Sequence, residues 1–255
     1  MLSLASLDMG VLDQACRRYV LAVTAALHDE LGPELVGTYL HGSAILGDFV
    51  PGRSDIDMIA VCERGLSEGE ARNVLSVLAQ TGQPCPAKGL DFYLVTRETA
   101  LAPPRPPSYE VHVLSWIGRE CVVGADNTDK PRLAILFVDC RTFGRAVMGP
   151  APRQVFAPIQ RSWFLDELAN EMVETWSDSP YHYRVLNACR SWQYLVEGEI
   201  TSKFVGAAWA RQRVRDPSMI DGAVSCQLTG QPAEADPAQV NAFVGGVIQM
   251  LRSAR

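Results

Sequence analysis

Gly42-Ser43, eleven intervening residues, and then Asp55-Ile56-Asp57 supply the parts of a phosphate cradle facing a pair of metal-binding carboxylates. Glycine lets the backbone approach an anion closely. A helical turn opening at Ser43 aims its first N–H groups and the serine hydroxyl at whatever lies above the preceding strand, which suits phosphate. In a strand, side chains two apart share a face, so Asp55 and Asp57 point one way while Ile56 and Met58 point the other. Two carboxylates on one edge repel unless a cation joins them, and all-oxygen donors of this kind suit Mg²⁺, which completes its octahedron with water and phosphate oxygens. The chemistry outlined is nucleotidyl transfer. A plainer reading has Asp55 capping a turn and Asp57 solvated; Gly42-Ser43 upstream at this spacing favours the first.

The elements that must hold these residues follow from apolar spacing and turn signals. Residues 36–40 read as a strand ending in the tight Gly42-Ser43 turn, with a turn helix over about 43–49, and residues 55–61 read as the next strand. Val11, Leu12, Ala15, Tyr19, Ala22, Val23, Ala26 and Leu27 mark a helix within 9–31, which Gly32-Pro33 stops. A crossover helix spans 66–78 with Ser67 as its cap, and 90–95 and 109–114 are two more strands, separated by Pro103-Pro104-Arg105-Pro106-Pro107, a stiff surface connection. Alternation in the first of these puts Asp91 on one face with Tyr93 and Val95. Beyond about residue 150 the pattern turns helical, over 159–176, 182–196, 202–214, 217–228 and 237–251. The fold class is therefore α/β: a mixed sheet with helices over 1–150 as a catalytic domain, then an all-α bundle over 151–255. The active cleft is expected between the two.

The string Tyr39-Leu40-His41-Gly42-Ser43-Ala44 with Ser54-Asp55-Ile56-Asp57 resembles the signature of the DNA polymerase β-like nucleotidyltransferases, and within them the aminoglycoside adenylyltransferase branch. Leu133-Ala134-Ile135-Leu136 and the stretch from Arg141 to Pro152 resemble the helix and turn that close the catalytic domain in the 3''- and 9-adenylyltransferases. Asn187 to Trp192, Glu197 to Lys203 and Ala207-Ala208-Trp209-Ala210 are similar to that branch's helical C-terminal domain. The resemblance covers roughly residues 35–215. It implies ATP as co-substrate, bound at Gly42 and Ser43, with Mg²⁺ on Asp55 and Asp57, and AMP passing to a substrate hydroxyl as pyrophosphate leaves. Asp91 stands where the family usually has Glu, either as the base or as a ligand of a second metal. The resemblance also makes Lys203 a contact to the nucleotide phosphates and Trp116 part of the drug site.

One departure bears on the acceptor. Members acting at the 3'' position carry an acidic residue just before the helix that begins near Tyr183. Here position 180 is proline and the nearest acid is Asp178. That acid is associated with streptomycin in the family, so its displacement points to a spectinomycin-like aminoglycoside or a related amino sugar. His41 and His182 read as packing or hydrogen-bonding residues, since no His or Cys lies near them at metal-ligand spacing.

Composition agrees with a small-molecule enzyme. The 255 residues, 47% hydrophobic and 20% charged, can bury a sizeable core. A net charge of −6 disfavours a nucleic acid as partner and suits a small cationic substrate. The seven cysteines are scattered, odd in number and contain no Cys-x-x-Cys pair, so neither a disulfide framework nor a zinc site is indicated, and mostly buried thiols are expected. With no apolar run of bilayer length and no signal-peptide pattern, the expectation is a cytoplasmic protein without a membrane partner; a monomer is the expected state. Two other functions fit the same residues: transfer to a protein side chain or another metabolite, and a nucleotide-binding module of low transfer activity, the latter because of Asp91.

Overall fold

The computed structural model describes residues 9–81, 85–116, 119–123, 132–176, 179–232 and 235–254, with backbone alone at 115, 116 and 119–123. The chain divides into two compact units, Met1–Pro158 and Ile159–Arg255. The division falls later than residue 150 because the chain after the last strand stays with the first unit. There the Ala157 N–H donates to the Ala100 carbonyl at 2.8 Å, and Arg141 donates to the carbonyls of Arg153 and Phe156.

The first unit is a six-stranded sheet in the order β5-β4-β3-β2-β1-β6. Its strands are β1 (Leu35–Leu40), β2 (Ile56–Cys62), β3 (Gly89–Thr96), β4 (Val111–Trp116), β5 (Arg119–Val123) and β6 (Arg145–Met148). Only β2 and β3 run parallel. That pair needs a crossover, which α3 (Glu68–Ala79) provides. Its cap is the expected Ser67, completed by Glu70 into a reciprocal capping box. The sheet's more apolar face, with Leu40, Ile56, Met58, Leu90, Phe92 and Val111, is buried with residues of α3 and of α1 (Gln14–Leu31). A buried Thr24–Thr38 hydroxyl pair at 3.1 Å ties α1 to β1 on that side.

The other face is divided. On β1, Tyr39 meets Phe156 edge-on at 5.1 Å, and Phe156 meets Phe137 of α5 (Leu133–Phe143). Tyr93 of β3, His112 of β4 and Tyr109, two residues before β4, form a second ring cluster. The polar end of this face carries the candidate site. The unit also contains, among its described residues, the short helices α2 (Ser43–Leu46), α4 (Arg97–Leu101) and α6 (Pro152–Val155).

The second unit is helical: α7 (Arg161–Glu174), α8 (Tyr181–Glu197), α9 (Lys203–Arg211), α10 (Ser218–Thr229) and α11 (Pro237–Ser253). α8 packs against the other four, burying Val185, Leu186, Ala188 and Cys189. Gly206 brings α9 against the α8 backbone, since a Cβ there would lie 2.6 Å from Arg190 Cα. The six cysteines whose side chains the structure describes are free thiols.

Candidate functional site

The turn between β1 and α2 is built around Gly42. Its φ of +64° is open to glycine, and an added Cβ would sit 2.1 Å from Asp57 Oδ2. Glycine is thus required twice, for the backbone turn and for the room the Asp57 carboxylate takes. The His41 N–H donates to the Asp57 carbonyl at 3.1 Å, locking the turn to β2. Ser43 opens α2, which is shorter than the sequence suggests: Gly47 in the left-handed region ends it, its N–H returned to Ser43 O. The segment before α1 holds α2 from outside, with Val11 N–H donating to Ala44 O at 3.0 Å and Arg17 bonded to the carbonyls of Gly10 and Leu12.

The three aspartates are positioned by different elements, and Asp57 is the one that stands against the Gly42 turn. Asp57 lies in register with Asp91 across the parallel β2–β3 pair, so their carboxylates stand on neighbouring strands of one face. Asp55 is the residue before β2, and its Oδ2 lies 3.6 Å from Lys88 Nζ. Lys88 is anchored beside it, donating its N–H to Ser54 O at 3.1 Å. Asp91 Oδ1 is 3.3 Å from His112 Nε2. Sequence reasoning missed Lys88 and His112. Lys88 was within reach as a cation ahead of the Asp91 strand, whereas His112 becomes visible only once β3 and β4 are paired.

Among the described residues no three His, Cys, Asp or Glu side chains group to hold a metal ion. A hard cation held by one or two carboxylates and by phosphate oxygens asks for less, and the Asp57 carboxylate beside a side-chain-free Gly42 fits Mg²⁺. His41 is 3% exposed; burial outweighs the pull of Asp91 and holds its pKa down at about 4. It is neutral at neutral pH and adds no positive charge to the cradle.

In the second unit Lys203 is the first residue of α9, whose cap Ser202 accepts from Val205 N–H at 3.2 Å. Its ammonium lies 4.5 Å from the centre of the Tyr183 ring. The Tyr183 hydroxyl donates to Glu171 Oε1 at 3.2 Å, and Arg190 approaches Glu171 Oε2 at 4.0 Å. The Glu171 charge, then burial, push the Tyr183 phenol well above its ordinary range. His182 contacts the Cys226 thiol at 3.2 Å, in keeping with a hydrogen-bonding role. Trp116 is placed by its backbone at the end of β4, opposite Gly89 and Arg119. Its side chain, and Asp178 altogether, lie outside the described residues.

Residues 154–250 match the family model described as aminoglycoside adenylyltransferase, C-terminal domain. An aminoglycoside (3'') (9) adenylyltransferase of Klebsiella pneumoniae is 27% identical over 203 residues, 75% of this chain and 77% of that protein. A spectinomycin 9-adenylyltransferase of Staphylococcus aureus is 26% identical over 192 residues, 71% and 73% of the two chains. The fold matches a crystal structure of spectinomycin adenyltransferase AAD(9) from Enterococcus faecialis with ATP and spectinomycin. The TM-score is 0.73 at 17% identity, over 92% of this chain and 98% of that one. These relatives are nucleotidyltransferase enzymes. The chain is a homologue of the aminoglycoside (3'') (9) and spectinomycin 9-adenylyltransferases.

Proposed function

We propose that this protein transfers AMP from ATP to a hydroxyl of a small cationic aminoglycoside or amino sugar, spectinomycin-like rather than streptomycin, and releases pyrophosphate. The observation that carries the reading is the in-register Asp57–Asp91 pair beside the Gly42 turn, on a chain whose relatives are adenylyltransferases. Gly42 and Ser43 receive the nucleotide phosphates. Asp55 and Asp57 hold Mg²⁺, which supplies charge neutralisation on the phosphates when bound. Asp55 Oδ2 lies 3.6 Å from Lys88 Nζ, so that ammonium competes with Mg²⁺ for the carboxylate.

As the acceptor oxygen bonds to the α-phosphorus, the bond to pyrophosphate breaks and the hydroxyl proton passes to Asp91. The work of the protein is alignment and electrostatics more than covalent chemistry. Lys203 contributes a nucleotide-phosphate contact from the second unit, and Trp116 a face for the drug. Asp178 is the acid nearest the position tied to streptomycin in the resemblance, and its displacement supports the spectinomycin-like acceptor. The net charge of −6 suits a cationic acceptor and disfavours nucleic acid. The proposed working form is a cytoplasmic monomer.

The test is pyrophosphate release from ATP and Mg²⁺ over a panel including spectinomycin and streptomycin, with the double variant Asp55→Ala, Asp57→Ala as control. Drug-dependent release that disappears in the control is expected, with spectinomycin turned over and streptomycin not. Silence across the panel with ATP binding intact would move the acceptor elsewhere.

A further inference from the structure

β3 and β4 pair antiparallel with Tyr93 opposite His112 and Asp91 opposite Leu114. His112 therefore stands on Asp91's face of the sheet, one diagonal step away, a separation that a long side chain can span. The imidazole is held on two sides. It lies flat on Tyr93 with centroids 4.0 Å apart and planes 8° apart, and it meets Tyr109 edge-on at 5.8 Å. Its side chain is 12% exposed, and its Nε2 reaches Asp91 Oδ1 at 3.3 Å. An ionised carboxylate can only accept, so in this contact Nε2 is the donor.

We propose that His112 is a positioning residue for Asp91. Its Nε2–H fixes one carboxylate oxygen and leaves Oδ2 to take the proton of the attacking hydroxyl. The inference rests on the reading of Asp91 as the base. An aspartate side chain turns about two torsions even where its backbone is paired on both sides, as here; a donor fixed by two aromatic contacts removes that freedom during folding, so none of the ordering is left to the reaction. The tie also explains why three aromatic residues cluster on this part of the polar face. Tyr93 and Tyr109 keep the imidazole in plane, and the imidazole keeps the carboxylate.

Two variants separate positioning from packing. His112→Phe keeps a flat ring on Tyr93 and loses the donor, and His112→Gln restores an N–H at similar reach. With both substrates saturating, kcat of the Phe variant is expected to fall roughly 30- to 100-fold, with KM for ATP and acceptor within about twofold and the melting temperature unchanged. The Gln variant is expected to recover to within about fivefold of the native chain. Equal kcat in the native and Phe chains, or equal losses in Phe and Gln, overturns the proposal.

An arm independent of turnover reads the imidazole by long-range ¹H–¹⁵N NMR in alkaline buffer, with the Phe variant assigning the signal. The Nε2–H tautomer is expected, with an Nε2 resonance that moves in Asp91→Ala. The Nδ1–H tautomer, or indifference to Asp91→Ala, refutes the tie whether or not AMP is transferred. A native chain that keeps the tie but adenylylates nothing sinks the functional reading, and with it the catalytic half of this inference.

Discussion

His41 shows what a single side chain in the cradle costs and confers. Its ring is buried, and neither nitrogen has a hydrogen-bond partner among the described residues. Burial therefore favours the neutral form, with a folded pKa of about 4 against an ordinary 6.5. The unfolded chain takes up the proton near 6.5, the folded one only near 4. Stability due to neutral His41 is thus complete above the upper value and declines as pH falls toward the lower one. The difference corresponds to about 3 kcal/mol. Urea denaturation of the native chain and of His41→Phe should therefore diverge by on the order of 3 kcal/mol between about pH 7 and pH 4, the native chain losing more. Parallel pH profiles would show that the imidazole is solvated after all. The sequence placed His41 as a packing or hydrogen-bonding residue in the Gly42 turn, and burial agrees with the first of these; its lack of a partner was invisible because it depends on which groups the sheet brings around it.

At the scale of elements, what was legible was whatever has a local signature. The Ser67 cap, the helical spacings of α7 to α11, and the alternation that puts Asp91, Tyr93 and Val95 on one face all appear in the structure as read. β6 was read as part of a turn, because four residues pairing with β1 through Tyr39 and Ala146 have no pattern of their own. β5 and the His112–Asp91 diagonal escaped for the same reason: long-range register is not encoded in a local window. Packing between helices was equally silent, and Gly206 is the test. A Cβ there would meet Arg190 Cα, N and Cβ at 2.6 to 2.9 Å, two of them backbone atoms that cannot turn aside. Gly206→Ala improves α9's intrinsic propensity by roughly 1 kcal/mol, yet overpacking against α8 costs about 1–3 kcal/mol. A net loss of stability in urea denaturation, borne by the second unit, is the expected outcome. A more stable variant would mean that α8 and α9 part without penalty.

At the scale of the whole molecule, the resemblance assigns the cradle and carboxylates to one unit and the phosphate-contacting lysine to the other, a division of labour that composition alone does not reveal. The family model covers 154–250, nearly all of the second unit and little of the first. The Gly42-Ser43 and Asp55-Asp57 signature lies wholly in the first. If both units serve one nucleotide, its binding must stabilise the chain through residues of each. A non-hydrolysable ATP analogue with Mg²⁺ at about 100 times its Kd contributes about 2.7 kcal/mol. For a chain of this size that is a rise in Tm of roughly 5–10 °C. Asp57→Ala, which removes a carboxylate from the cradle, and Lys203→Ala, which removes the ammonium above Tyr183, should each abolish most of that rise while leaving the ligand-free Tm within about 3 °C. Loss in Asp57→Ala alone, with the full rise kept in Lys203→Ala, would confine nucleotide binding to the first unit and leave Lys203 as a partner of the Tyr183 ring.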